Sequence, residues 1–144
     1  MGPAGAEFRA LYVRHGIEPS PLLPGAAEAV AGVHAHGGSV VVITGKYEPN
    51  ARRHLTHLGL TVDALIGSAW AEGKVAAVRD HGVGVYVGDH PADMVSARAG
   101  GAVAVGVTTG AWDAVALTGA GADVVLADLT GFPAWLRGHV RAAA

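Results

Sequence analysis

The stretch Val83-Gly84-Val85-Tyr86-Val87-Gly88-Asp89-His90-Pro91-Ala92-Asp93 decides the fold. Its apolar run, Val83–Val87, is short, Val-rich and bounded by turn residues, the pattern of a strand covered on both faces. Gly88 ends the run, and Pro91 fits the first turn of a following helix, where its missing N–H is not needed. Four other runs have the same form: Ser39–Thr44, Val62–Ile66, Ala102–Val107 and Asp123–Leu126. Between them, Gly25–His36, Pro49–Leu58, Glu72–His81 and Pro91–Gly100 are each long enough for a helix of about three turns. Gly37-Gly38 and Gly100-Gly101 stop the first and last of these. Strand–helix alternation implies parallel strands joined by right-handed crossovers, so the chain reads as a doubly wound, Rossmann-like α/β domain flanked by helices. Phe132–Ala144 reads as a final amphipathic helix with Phe132, Trp135, Leu136 and Val140 on one side.

Composition agrees. The chain has 144 residues, 51% hydrophobic and 15% charged, with 22 glycines and a formal net charge of −2. That suits one domain with a real core rather than a disordered chain. Nothing in the charge points to nucleic acid or an acidic membrane surface as partner. The absence of cysteine excludes disulfides, thiolate metal sites and a cysteine nucleophile. No apolar run approaches the roughly 20 residues of a membrane span, and Met1–Arg14 lacks the form of a secretory signal. A cytoplasmic protein without membrane or nucleic-acid partners is expected.

The first residues have a different pattern. Glu7–His15 reads as a helix with Phe8, Leu11 and Tyr12 on one face, followed by a proline-rich connector, Ile17–Pro24. A short strand at Arg9–Val13 is the competing reading.

In open α/β sheets, ligands gather beyond the carboxyl ends of the strands, near the point where strand order reverses. Thr44, Gly45 and Lys46 follow one run; Gly88, Asp89 and His90 follow another, with Asp93 four residues after Asp89. Lys74 lies in the first turn of the helix beginning near Glu72. A hydroxyl, a glycine backbone and an ammonium suit a phosphate monoester, and carboxylates supply hard oxygens to Mg²⁺. Each residue also has a plainer reading. Thr44 can merely end a strand, Asp89 can be an N-cap, Asp93 can stabilise a helix start, and Lys74 can be solvated. His34 with His36, and His54 with His57, have metal-compatible spacing but no nearby third ligand in sequence, which favours surface histidines. Trp112 fits either a site rim or packing.

The order Thr44, Lys74, Gly88-Asp89-His90-Pro91-Ala92-Asp93 resembles the haloacid dehalogenase superfamily, closest to its phosphoglycolate-phosphatase-like members. The resemblance runs from about Phe8 to Leu136 and implies Mg²⁺-dependent hydrolysis of a small phosphorylated metabolite. VVITGK resembles the motif whose Ser or Thr binds the phosphoryl group, which gives Thr44 and Gly45 that place. AEGKVAAV resembles the motif whose Lys offsets phosphate charge, which gives Lys74. By the same match Asp89 is the principal metal ligand, and Asp93 supports it.

One departure is informative. Relatives begin with a strand ending in Asp-x-Asp-Gly-Thr, whose first Asp becomes an aspartyl phosphate. Here the first aspartate is Asp63, and only Glu7, Glu18 and Glu28 are acidic before Thr44. FRALYVRHGIEPSPLLPGAAEAV resembles the end of the family's helical cap and its return linker. Residues 1–20 are therefore expected to be a cap remnant and 21–144 the core, without the usual central strand. The gap fits a truncated gene, a misassigned start or a degenerate paralogue, and a chain without the nucleophile is expected to be inactive, so its standing as an enzyme is open. The alternative is a non-catalytic phosphate- or Mg²⁺-binding module, or one for protein interaction. A receiver domain is disfavoured, because its N-terminal acidic cluster is absent. The open lane in the sheet is expected to close by direct pairing of the flanking strands or by homo-oligomerisation, in preference to insertion of Arg9–Val13.

Overall fold

Alternate residues of the apolar runs turn to opposite faces of a single sheet, which is why the runs are continuously apolar. The computed structural model describes residues 9–13, 25–44 and 47–143. Its elements in chain order are β1 (Arg9–Val13), α1 (Ala26–Ala35), β2 (Ser39–Ile43), α2 (Glu48–Leu58), β3 (Ala64–Ile66) and α3 (Ala71–Asp80). Then come β4 (Val85–Gly88), α4 (Pro91–Ala99), β5 (Val103–Val107), α5 (Ala114–Gly119), β6 (Val124–Leu126), a 3₁₀ turn (Leu129–Gly131) and α6 (Phe132–Ala143). All strands are parallel, in the order β3-β2-β1-β4-β5-β6.

Two cores cover the two faces. Val41, Ile43, Tyr86 and Ala104 pack with Ala77 and Val78 of α3, Met94 and Ala97 of α4, and Leu117 of α5. On the other face Val40, Val85, Val87, Val105 and Val107 pack with Ala29 and Val33 of α1 and with Phe132 and Leu136 of α6. The edge strands β3 and β6 are only three residues long, which limits the unpaired backbone offered to other chains. An aspartate precedes each edge strand and holds its neighbour: Asp63 Oδ2 accepts the Val40 N–H at 2.6 Å, and Asp123 Oδ2 accepts the Ala104 N–H at 2.8 Å. Among the described residues no helix is long and apolar enough to cross a membrane.

Three expectations about the N-terminus are corrected. Arg9–Val13 is a strand, not part of a helix, and it occupies the centre of the sheet. The sheet does not lack a central strand, and β2 and β4 do not pair directly. β1 runs in register from Arg9↔Ser39 to Val13↔Ile43 on one side, and from Ala10↔Val85 to Tyr12↔Val87 on the other. The physical reason is the cost of an empty lane. β2 and β4 would each leave a row of buried N–H and C=O groups unpaired, and a five-residue extended segment satisfies both rows at once. An isolated helix of nine residues is marginal in water and cannot compete. The cap-remnant reading of residues 1–20 leaned on that helix. Arg9–Val13 belong to the core sheet, and the rest of 1–20 lies outside the described residues.

Strand order reverses between β1 and β4, because β2 and β3 lie to one side and β5 and β6 to the other. The crevice beyond the carboxyl ends of these two central strands is where this fold offers a ligand its place.

Candidate phosphate-binding site

Thr44 follows β2 directly and is 2% exposed. Its N–H donates to the Ile66 carbonyl at 3.0 Å, and its own carbonyl accepts the Ala69 N–H at 2.9 Å. The residue is thus tied by its backbone to the segment that leads from β3 into α3. Gly45 and Lys46 lie outside the described residues.

Lys74 sits in the first turn of α3 and is only 5% exposed, which removes the solvated reading. Its Nζ lies 3.3 Å from Asp93 Oδ1. Asp93, in the first turn of α4, is fully buried. The same Oδ1 accepts a hydrogen bond from the Tyr86 hydroxyl at 3.1 Å. Gly88 makes room for this arrangement, because a Cβ there would lie 2.5 Å from Asp93 Cβ and 2.6 Å from its Oδ2. The helix start approaches the strand end closely only because position 88 has no side chain.

Asp89 comes next, half-buried. A Cβ at Gly110 would stand 2.9 Å from Asp89 Oδ2, so the loop after β5 closes against this carboxylate. Asp89 is not the N-cap of α4. That role belongs to His90, whose Nδ1 accepts the Ala92 N–H at 3.0 Å. Trp112 meets His90 edge-on, with ring centroids 5.3 Å apart, and stays partly open to solvent. Tyr47 and Trp70 are also exposed, beyond β2 and β3 at the same edge of the sheet. Trp112 thus packs on His90 while keeping part of its ring exposed, which fits either reading.

The structure brings Thr44, Lys74, Asp89 and Asp93 to one end of the sheet, beside the carboxyl ends of β2 and β4. Among the histidine pairs, His34 is engaged by Asp63 at 2.8 Å. Among the described residues no group of three His, Asp or Glu is arranged to hold a metal ion. Tyr86 was not legible as a site residue. A tyrosine in the middle of a valine run reads as core, and its ring is core. The one signal was its hydroxyl, which a buried position must satisfy.

Burial, then the Asp93 charge, then the hydrogen bond to Asp93 hold the Tyr86 hydroxyl far above the ordinary tyrosine value of 10.0. The folded value is raised above the unfolded one. The contribution to stability is therefore complete below about pH 10 and declines as pH rises further, by about 1.4 kcal/mol per pH unit. Urea unfolding of the wild type at a series of alkaline pH values should show this decline. Tyr86→Phe should remove that share of the slope, and equal slopes in the two proteins would contradict the assignment.

Several solved structures share this architecture. A hydrolase from Pseudomonas syringae is 24% identical, with a TM-score of 0.70 over 82% of this chain and 60% of that one. The cobalt-bound deoxy-D-mannose-octulosonate 8-phosphate phosphatase of Haemophilus influenzae is 16% identical, with a TM-score of 0.64 over 97% of this chain and 90% of that one. The corresponding phosphatase of Moraxella catarrhalis, in complex with magnesium ion, phosphate ion and the sugar acid, is 16% identical, with a TM-score of 0.63 over 97% of this chain and 88% of that one. At these identities the likeness shows the fold. The chain spans about 60% of the length of the Pseudomonas protein. No curated protein matches the sequence. Residues 2–98, more than half of the chain, match the model of the haloacid dehalogenase-like hydrolases, and the chain belongs to that family.

Proposed function

We propose that these residues form the phosphate-recognising core of a haloacid dehalogenase-type phosphatase, which binds a small phosphomonoester but does not hydrolyse it unaided. One observation carries the reading. Lys74, Asp93 and Asp89 gather beside the end of a central strand that has no carboxylate: Arg9–Val13 reads RALYV, and Arg14, His15, Gly16 and Ile17 follow. Transfer through an aspartyl phosphate needs a carboxylate nucleophile at the reacting phosphorus. In this reading Thr44 donates its hydroxyl to a phosphoryl oxygen, Gly45 admits the anion to the backbone, and Lys74 offsets its charge.

Two of the similar phosphatases hold cobalt or magnesium, and the donor set here is a poor match for a self-contained metal centre. Asp93 is fully buried and its Oδ1 already takes Lys74 and Tyr86, which leaves Asp89 as the carboxylate that the family resemblance would give to a cation. Mg²⁺ is commonly held by one or two carboxylates together with substrate oxygens and water. Asp93 thus serves as the mount for Lys74.

Titration of the ¹⁵N-labelled chain with inorganic phosphate tests the reading. Amide shifts should concentrate at Thr44, Ala69–Lys74 and Asp89, with an affinity near millimolar, about 4 kcal/mol. Shifts confined to other surfaces, such as the Arg52–Arg53 face of α2, would sink it.

A further inference from the structure

We infer that Tyr86 is a positioning residue for phosphate binding: its hydroxyl, bonded to Asp93, governs how far the Lys74 ammonium is available to an incoming phosphate. The inference rests on the phosphate reading of this site and adds a residue that the motif resemblance does not contain.

Asp93 Oδ1 accepts from two donors of different character, the Tyr86 hydroxyl at 3.1 Å and the Lys74 ammonium at 3.3 Å. The tyrosine donor is fixed. Tyr86 lies in the middle of β4, in register with Leu11 on one side and Ala104 on the other, and its ring is fully buried among Val41, Ile43 and Met94. The lysine donor is a point charge on a four-carbon stem with several rotatable bonds. Asp93 itself has little freedom, because the strand end at Gly88 stands against its Cβ.

A phosphate entering the crevice must compete with Asp93 for Lys74. In a water-poor interior, a second donor on the same oxygen draws charge from it and loosens its hold on the first. Tyr86 therefore weakens the Lys74–Asp93 attraction just enough to let the ammonium turn toward a ligand. Burial and the Asp93 carboxylate hold the hydroxyl protonated, and hence a donor, above the usual tyrosine range. A buried tyrosine hydroxyl needs a partner in any protein, and Asp93 supplies one. That alone would affect stability and leave phosphate affinity untouched.

Double-mutant cycles on inorganic phosphate affinity, read by calorimetry or amide shifts, separate the two roles. Tyr86→Phe keeps the ring and is expected to weaken phosphate binding about fivefold, close to 1 kcal/mol by the affinity relation. In a Lys74→Met background the same change should have no further effect, within about 1.5-fold. Should Lys74→Met fail to fold, Asp93→Asn serves as the background. It keeps the shape and the acceptor but removes the charge that Tyr86 moderates, so Tyr86→Phe should again lose its effect. Equal affinity of wild type and Tyr86→Phe, or a fivefold loss that persists in both backgrounds, would overturn the positioning role while leaving the phosphate site in place. A wild-type chain that binds no phosphate would overturn the phosphate reading and this inference together.

Discussion

Leu11→Pro is expected to abolish the cooperative unfolding transition of this protein. β1 is paired on both sides, over five register positions with β2 and three with β4. A proline in such a strand removes a ladder donor and forces the backbone out of register, and a central strand has no solvent side to absorb the loss. Proline in a helix interior costs about 3 kcal/mol or more, and here the two halves of the sheet lose their common strand as well. Small domains have only about 5–15 kcal/mol of stability in total. Circular dichroism and urea titration should show a broad, non-cooperative profile. A sharp transition close to that of the wild type would mean that β2 and β4 pair without β1.

Lys74→Ala is expected to be the most destabilising side-chain truncation at the site, by about 3–5 kcal/mol in urea unfolding. The reason lies in what remains. Asp93 is fully buried, and removing the ammonium leaves its carboxylate with the Tyr86 hydroxyl as the donor described above. Replacing the whole group, with Lys74→Met, Asp93→Leu and Tyr86→Phe together, should recover most of the loss, because apolar residues of similar volume need no partners. That triple variant would also lose phosphate binding. A single truncation costing less than about 1 kcal/mol, as expected of exposed ion pairs, would show that the pair is not buried in solution.

Much of this architecture was legible in the sequence. Five of the six strands announced themselves as valine-rich runs ending at glycine or a polar residue, since both sheet faces are covered and no polar alternation is needed. The four long internal helices and α6 followed from spacing and from Pro91, Gly37 and Gly100 at their borders. α5 was missed: it is six residues long, and its main marker is the Asp113 side chain accepting the Ala116 N–H. β1 was misread because five residues carry too little periodicity to decide between strand and helix. What decides is the unpaired backbone of β2 and β4, a tertiary requirement invisible to a local pattern. The candidate site divides in the same way. Thr44, Lys74, Asp89 and Asp93 stand out by chemical type at strand and helix ends. Tyr86, and the commitment of Asp93 to Lys74, emerge only when α3 and α4 pack over one face of β4. His90 as the cap of α4 was likewise hidden, because Asp89 beside it is the stronger capping residue by type.

A haloacid dehalogenase fold with a carboxylate-free central strand is expected to recognise phosphate without turning it over. Hydrolysis of p-nitrophenyl phosphate by the purified chain, with Mg²⁺ present, measures this most directly. The expected result is release of nitrophenol no faster than from the Lys74→Ala, Asp89→Ala double variant. Sustained turnover by the wild type, abolished by Asp89→Ala alone, would contradict this expectation and require a nucleophile other than a carboxylate at the end of β1.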